Sequence, residues 1–294
     1  MKLLVLGCNG QLGRAMCRRA AATGYEVTGV DIPQIDLRDI DSIVSAARAC
    51  SPEVIINCSA YTAVDRCESE PEPAYAINRD GAANAAHAAR DAGALLVHFS
   101  TDYVFDGTAG RPYTETDEPS PASVYGKSKL AGEQSVADIC ERHQILRLAW
   151  LYGADGQNFV KSIVRAALAA REDGRALRIV HDQHGTPTCA DDVCDQTYAS
   201  IATGETGIFH CTAEGACTWF DFGRRIVERA GIDVTVEPCT TDEYPRPAPR
   251  PAYSVLENAR YKQLGCNVMP QWDEGFDRFV AGNPALLHAP KENR

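Results

Sequence analysis

The apolar run Leu3-Leu4-Val5-Leu6 leads straight into Gly7-Cys8-Asn9-Gly10-Gln11-Leu12-Gly13, and the residues after it have helical composition up to Thr23, closed by Gly24. Strand, glycine-rich turn and helix in that order open a βαβ unit, and a parallel sheet follows from it. Glycines at 7, 10 and 13 allow the turn, let backbone approach a pyrophosphate and let helix and strand pack closely. The phosphates then lie over the helix N-terminus, with Gln11 and Leu12 beside them.

The same alternation continues along the chain. A second strand, Glu26 to Val30, ends at Asp31, where a carboxylate accepts from the adenosine ribose and favours NADH. Arg14 instead suits a 2′-phosphate, so NADPH and NADH both stay open. Asp36 and Leu37, in the loop that follows, are expected at the same cofactor. Asp39 or Asp41 caps a helix with Ile40, Ile43, Val44 and Ala47 at helical spacing. The third strand runs into Cys58-Ser59-Ala60, small residues that leave room for a cofactor. An alanine-rich helix from Pro73 to Ala92 precedes a fourth strand, Ala94 to Phe99, and Gln144 to Trp150 is a fifth. These elements predict an α/β protein with a Rossmann-type doubly wound parallel sheet over residues 1–150. Residues 151–294 are expected to form mainly a smaller C-terminal substrate-binding lobe, with some chain returning to the first domain. Its predicted helices cover Phe159 to Arg171, Ala190 to Ile201 and Trp219 to Ala230, and the proline-bearing stretch Pro238 to Pro251 is expected to be extended.

One constellation in this frame has a chemical use. Tyr125 and Lys129 stand at i and i+4, on one face of a helix expected to start at the Pro119–Pro121 turn. A free phenol holds its proton to a pKa of about 10, and an ammonium beside it is expected to lower that value, making Tyr125 a usable acid. Thr101, at the end of the fourth strand, is placed to offer a hydroxyl to the carbonyl oxygen that Tyr125 protonates.

Composition narrows the partners. A net charge of −11 argues against nucleic acid or an anionic membrane surface, both of which need clustered cations, and favours a small-molecule ligand. No apolar run approaches the ~18 residues of a membrane span, and a cytoplasmic location is expected. The 12 cysteines are scattered without a Cys-x-x-Cys pair, so free thiols are expected and no metal is predicted. The alanine-rich helices have small faces suited to packing within the fold or across a homodimer.

With these residues in place, the chain resembles the extended short-chain dehydrogenase/reductase family over nearly its whole length. The likeness is carried by Tyr61-Thr62-Ala63-Val64-Asp65 with Glu68-Ser69-Glu70-Pro71, Ser100-Thr101-Asp102-Tyr103-Val104-Phe105-Asp106-Gly107, Tyr125-Gly126-Lys127-Ser128-Lys129-Leu130-Ala131-Gly132-Glu133, Asn158-Phe159, Asp182-Gln183 through Pro187-Thr188, and Arg250-Pro251. The resemblance implies a nucleotide-sugar substrate, dTDP-4-dehydro-L-rhamnose, whose C4 keto group is reduced by NADPH or NADH to give dTDP-L-rhamnose. It makes Tyr125 the proton donor, has Lys129 hold the nicotinamide ribose, and puts Thr101 on the C4 carbonyl. Asp102, Tyr103, Trp150, Asn158, Gln183 and Arg250 are implied on the substrate side. Some family members hold magnesium through a glutamate where this chain has Ala15, a departure that keeps metal out of the expected site. Two other readings share the fold. One is a related reductase, dehydratase or epimerase, although a dehydratase needs an acid pair after its threonine and here Asp102 is followed by Tyr103. The other is a non-catalytic regulatory subunit of methionine adenosyltransferase, which has no need of Thr101, Tyr125 and Lys129 together.

Overall fold

Residues 1–287 are described by a computed structural model of the chain. Lys2–Leu6 forms β1, whose residues Leu3 to Leu6 are all buried, as a strand covered on both faces requires. Leu3 and Val5 join one core and Leu4 and Leu6 the other, so the two-residue period of the strand divides its side chains between the layers. The chain continues through α1 (Gln11–Ala22), β2 (Glu26–Val30), α2 (Ile40–Cys50) and β3 (Val54–Asn57). Asp39 caps α2 by accepting the Asp41 N–H. Next come α3 (Val64–Ser69), α4 (Pro71–Tyr75), a π-helical turn (Ala76–Gly81), α5 (Ala82–Ala92), β4 (Leu95–Thr101), a 3₁₀ turn (Asp102–Val104), α6 (Val124–Ile139) and β5 (His143–Leu148).

Beyond Trp150 lie β6 (Leu151–Tyr152), α7 (Phe159–Glu172), β7 (Leu177–Val180), β8 (His184–Gly185), β9 (Thr188–Cys189), α8 (Ala190–Thr203), β10 (Gly207–His210), β11 (Cys217–Thr218), α9 (Trp219–Ala230), β12 (Val236–Cys239), α10 (Ala259–Gln263) and α11 (Trp272–Gly282). The main sheet has the order β2-β1-β3-β4-β5-β10 and is parallel throughout. From β1 the chain moves to β2 at one edge, then returns past β1 to β3. The crevice at this reversal, outside the carboxyl ends of β1 and β3, is where such sheets take ligands.

One expected element changes. The helix predicted from Pro73 to Ala92 starts at Pro71 and is broken by the π-helical turn, because Asn78 there grips neighbouring elements. Its side chain accepts the Tyr61 N–H at 2.8 Å and donates to Ser128 Oγ of α6 at 2.9 Å, the kind of local widening found at functional sites. The part of the chain after Trp150 divides between two regions. α8 lays Ala190, Val193, Cys194, Tyr198 and Ile201 into the core beneath the main sheet, and Tyr198 donates its hydroxyl to Met16 O of α1 at 2.8 Å. β10 extends the sheet beside β5. A third core gathers α7, α9 and α11 around Tyr152, Phe222 and Phe276, with the ribbons β6–β9, β7–β12 and β8–β11.

The alanine faces expected within the fold or across a homodimer pack inside, with Ala82, Ala85, Ala86, Ala88 and Ala89 in one core and Ala167 and Ala170 in another. All the cysteines are free thiols, most of them buried. No helix among the described residues is long and apolar enough to cross a membrane.

Candidate active site

α6 begins at Val124, one residue before Tyr125 and later than the Pro119–Pro121 start expected for it. Its cap is Ser123, whose Oγ accepts the Gly126 N–H at 3.1 Å, while Glu68 Oε1 of α3 accepts the Val124 N–H at 2.8 Å. Two orphan donors of the first turn are thereby satisfied. Tyr125, Lys129 and Glu133 follow at four-residue spacing, and all three are buried. Lys129 Nζ donates to Phe99 O of β4 at 2.5 Å. Glu133 accepts a fork of two hydrogen bonds from Arg147 of β5, at 2.9 and 2.7 Å.

The electrostatics correct one expectation. Burial pushes the Tyr125 phenol above its ordinary value; the Thr101 hydroxyl works against that shift and the Asp102 carboxyl adds to it. Lys129 does not pull the phenol down here, because its ammonium is turned onto the Phe99 carbonyl. Burial lowers Lys129 itself to about 8, with the Glu133 charge acting in the opposite sense. The pair still stands one helical turn apart beside the end of β4.

At the sheet reversal, Gly7 has φ +78°, and a Cβ on it would stand 2.4 Å from Ser59 Oγ. A Cβ on Gly13 would stand 2.0 Å from Gly7 O. Glycine at both positions lets β1, the Cys58-Ser59-Ala60 strand end and α1 close on one another. Gly10 caps α1 without any side-chain bond, so the first-turn N–H groups remain available to an anion. Asp31 sits on the rim of the same turn, accepting the Asn9 N–H at 2.9 Å, and Arg14 Nε donates to Asn9 O at 2.8 Å. These residues fit a dinucleotide. Asp36 and Leu37 fit it less well than expected. Arg38 pairs with the Asp36 carboxylate and pulls it down to about 2, and the Leu37 side chain is buried in the core. Gln11 is also engaged, donating to Leu151 O at 3.3 Å and accepting from Asn158 at 3.0 Å.

On the substrate side, the Tyr103 ring meets Tyr125 edge-on at 5.5 Å, and the Arg250 guanidinium lies 5.9 Å from the Tyr103 centroid. Arg250 also donates to Asp65 at 2.9 Å. Trp150 leaves the sheet two residues past Leu148, the register partner of Thr101. It holds φ +46°, stacks on Trp219 at 3.4 Å, and packs so closely on Gly185 that a Cβ there would stand 2.3 Å from its ring. Asn158 and Gln183 were expected to touch substrate and are otherwise engaged. Asn158 caps α7 and ties it to Gln11, and Gln183 donates to Thr241 at 2.9 Å, so each joins its loop to a distant segment. Thr101, Asp102, Tyr103, Tyr125, Lys129 and Arg250 thus gather at the carboxyl edge of the sheet that also carries the glycine turn, two strands away.

The profile of the RmlD substrate binding domain family matches residues 1–283. The chain belongs to that family. It is 41% identical over 276 residues to a dTDP-4-dehydrorhamnose reductase of Streptomyces griseus, covering 92% of this chain and 90% of the relative. A crystal structure of a dTDP-4-dehydrorhamnose reductase from Clostridium acetobutylicum superposes with a TM-score of 0.92 at 42% identity, covering 97% of this chain and 100% of that one. A dTDP-4-dehydrorhamnose reductase from Bacillus anthracis, solved in complex with NADP, gives a TM-score of 0.91 at 36% identity, covering 96% and 99%.

Several residues of this family member's site carry no role in the sequence reading. Glu68, Asp65 and Glu133 lie inside the motif blocks, which signals their presence but not their partners. Asn78, Arg147 and Trp219 give no signal, because each acts through a contact made by a distant segment.

Proposed function

We propose that this chain reduces the C4 keto group of dTDP-4-dehydro-L-rhamnose to give dTDP-L-rhamnose. The observation that supports the reading is the convergence of Thr101, Tyr125 and Lys129 at the carboxyl edge of β4, on the same edge of the parallel sheet as the anion-ready turn at Gly7 to Gly13. NADPH or NADH bound at that turn supplies the hydride. Tyr125 gives its proton to the developing alkoxide, and the Thr101 hydroxyl hydrogen-bonds the same oxygen. Lys129, freed from Phe99 O when a ribose hydroxyl takes its place as acceptor, holds the dinucleotide and restores the proton balance of the phenol. Arg250 and Tyr103 line the nucleotide-sugar side, and the Trp150 indole packs on the deoxysugar. The relatives named as dTDP-4-dehydrorhamnose reductases support this substrate over other nucleotide sugars, and the intact trio disfavours a purely regulatory subunit.

The reading is tested by following reduced-nicotinamide absorbance with dTDP-4-dehydro-L-rhamnose, using NADPH and NADH in turn. The expected result is sugar-dependent loss of signal, and the cofactor that gives the higher kcat/KM decides between Arg14 and Asp31. Tyr125→Phe should cut kcat by roughly 10²–10⁴ while NADPH binding persists; undiminished turnover would remove Tyr125 from the mechanism.

A further inference from the structure

Asp102 follows Thr101 at the end of β4 and is 2% exposed. Its carboxyl shares a hydrogen bond with the Thr101 hydroxyl, Oγ1 to Oδ1 at 3.0 Å. The second oxygen, Oδ2, is buried without a hydrogen-bond partner. The Ser254 hydroxyl stands beside the carboxyl and favours its charged form. Thr101 Oγ1 also accepts the Tyr103 N–H at 3.2 Å.

Counting hydrogens decides what Thr101 can do. A hydroxyl has one hydrogen and two lone pairs, and Tyr103 N–H takes one lone pair. An ionised Asp102 can only accept, so the single Thr101 hydrogen goes to Oδ1 and none is left for a sugar carbonyl. A protonated Asp102 donates to the second lone pair instead, and the Thr101 hydrogen is released toward the substrate. The buried, unpartnered Oδ2 points the same way, since an ionised carboxylate loses more than a neutral one by going without partners.

We propose that Asp102 works as a neutral positioning residue, its carboxyl O–H donating to Thr101 and so turning the Thr101 hydroxyl into the donor for the C4 carbonyl oxygen. The proton stays on Asp102 through turnover, so the hydride from the dinucleotide and the proton from Tyr125 still account for the whole reduction. This rests on the reading of Thr101 given above.

The surroundings agree. Burial pushes the Asp102 carboxyl up to about 6, against the opposing pull of the Ser254 and Thr101 hydroxyls and of its own and the Tyr103 N–H groups. The titratable groups facing it are Tyr103 on its own turn and Tyr125 on α6, both with phenols pushed up by burial. Of the cations around these rings, Arg250 is paired with Asp65 and Lys129 donates to Phe99 O. Nucleotide-sugar phosphates entering the cleft add negative charge and favour the neutral carboxyl further.

The test compares kcat and kcat/KM from pH 5 to 9 for the wild type, Asp102→Asn, Asp102→Ala and Thr101→Val, with NADPH binding as the check that each variant is folded. Asparagine donates to Thr101 at every pH, so Asp102→Asn should lose the wild type's fall in kcat with rising pH below pH 8. Asp102→Ala removes the group that orients the Thr101 hydroxyl and should lower kcat by up to about 10²-fold at the low end of the range, where the wild-type carboxyl is neutral, with the difference shrinking as pH rises. The proposal is overturned if Asp102→Asn is as slow as Asp102→Ala, which would mean that the ionised carboxylate is needed, or if Asp102→Asn keeps the wild-type pH profile. Failure of the underlying reading looks different, because Thr101→Val would then turn over like the wild type.

Discussion

Trp150 shows how a single residue is held in a conformation it would not choose. A left-handed backbone is strained for a tryptophan and persists only where the surroundings over-determine it. Here the surroundings are the Trp219 ring stacked on one side and Gly185, where no side chain would fit. Gly185→Ala should therefore push the indole out of place. We expect the KM for the nucleotide sugar to rise several-fold more than kcat falls, with a shifted tryptophan emission and unchanged NADPH affinity. Equal changes in sugar and cofactor binding would argue that Trp150 supports the fold generally and does not touch the sugar.

At the scale of an element, α6 carries the chemistry because it is pinned along its length. Ser123 and Glu68 hold its first turn, Asn78 bonds Ser128 in the middle, and Arg147 grips Glu133 beyond Lys129. The last pair is 1% and 3% exposed. A buried pair of this kind adds little net stability, but removing one member leaves the other charged and unpartnered. Arg147→Met should accordingly cost about 3–5 kcal/mol, and Arg147→Met with Glu133→Gln should recover most of it, as read by urea unfolding. A double variant no more stable than the single would show that Arg147 contributes mainly by packing on Phe105, whose ring lies 5.1 Å from it.

For the whole molecule, pH reports on groups buried where β10 joins the sheet. His210 is fully buried, with Nδ1 donating to the Tyr113 and Glu257 carbonyls, both at 3.1 Å. Burial, followed by the Arg147 charge, pushes it down to about 3. The folded value lies below the unfolded one, near 6.5, so the unfolded chain binds the proton first and stability is lost as pH falls from about 6.5 toward 3. His210→Gln removes this dependence. The stability advantage of the wild type over that variant should shrink by roughly 1 kcal/mol per pH unit between pH 6 and 4.5, and a constant difference in denaturation series would contradict it. Asp102 has the opposite sign but is common to both proteins and cancels.

Local order was legible in the residues themselves. The glycine turn, the buried strands, the helices at Phe159, Ala190 and Trp219, and the i, i+4 placement of Tyr125 and Lys129 follow from periodicity, caps and sterics, which act over a few positions. Contacts between distant segments decided the rest. Asn78 opens a π-helical turn to reach Tyr61 and Ser128, α8 turns back onto α1, and Asn158 and Gln183 are taken up by Gln11 and Thr241. The direction of Lys129 belongs to the same class, since its ammonium follows a carbonyl on β4, 30 residues away in sequence. Hydrogen-bond saturation of buried groups is a property of the packed chain, and a linear pattern carries the donors without showing which acceptors they meet.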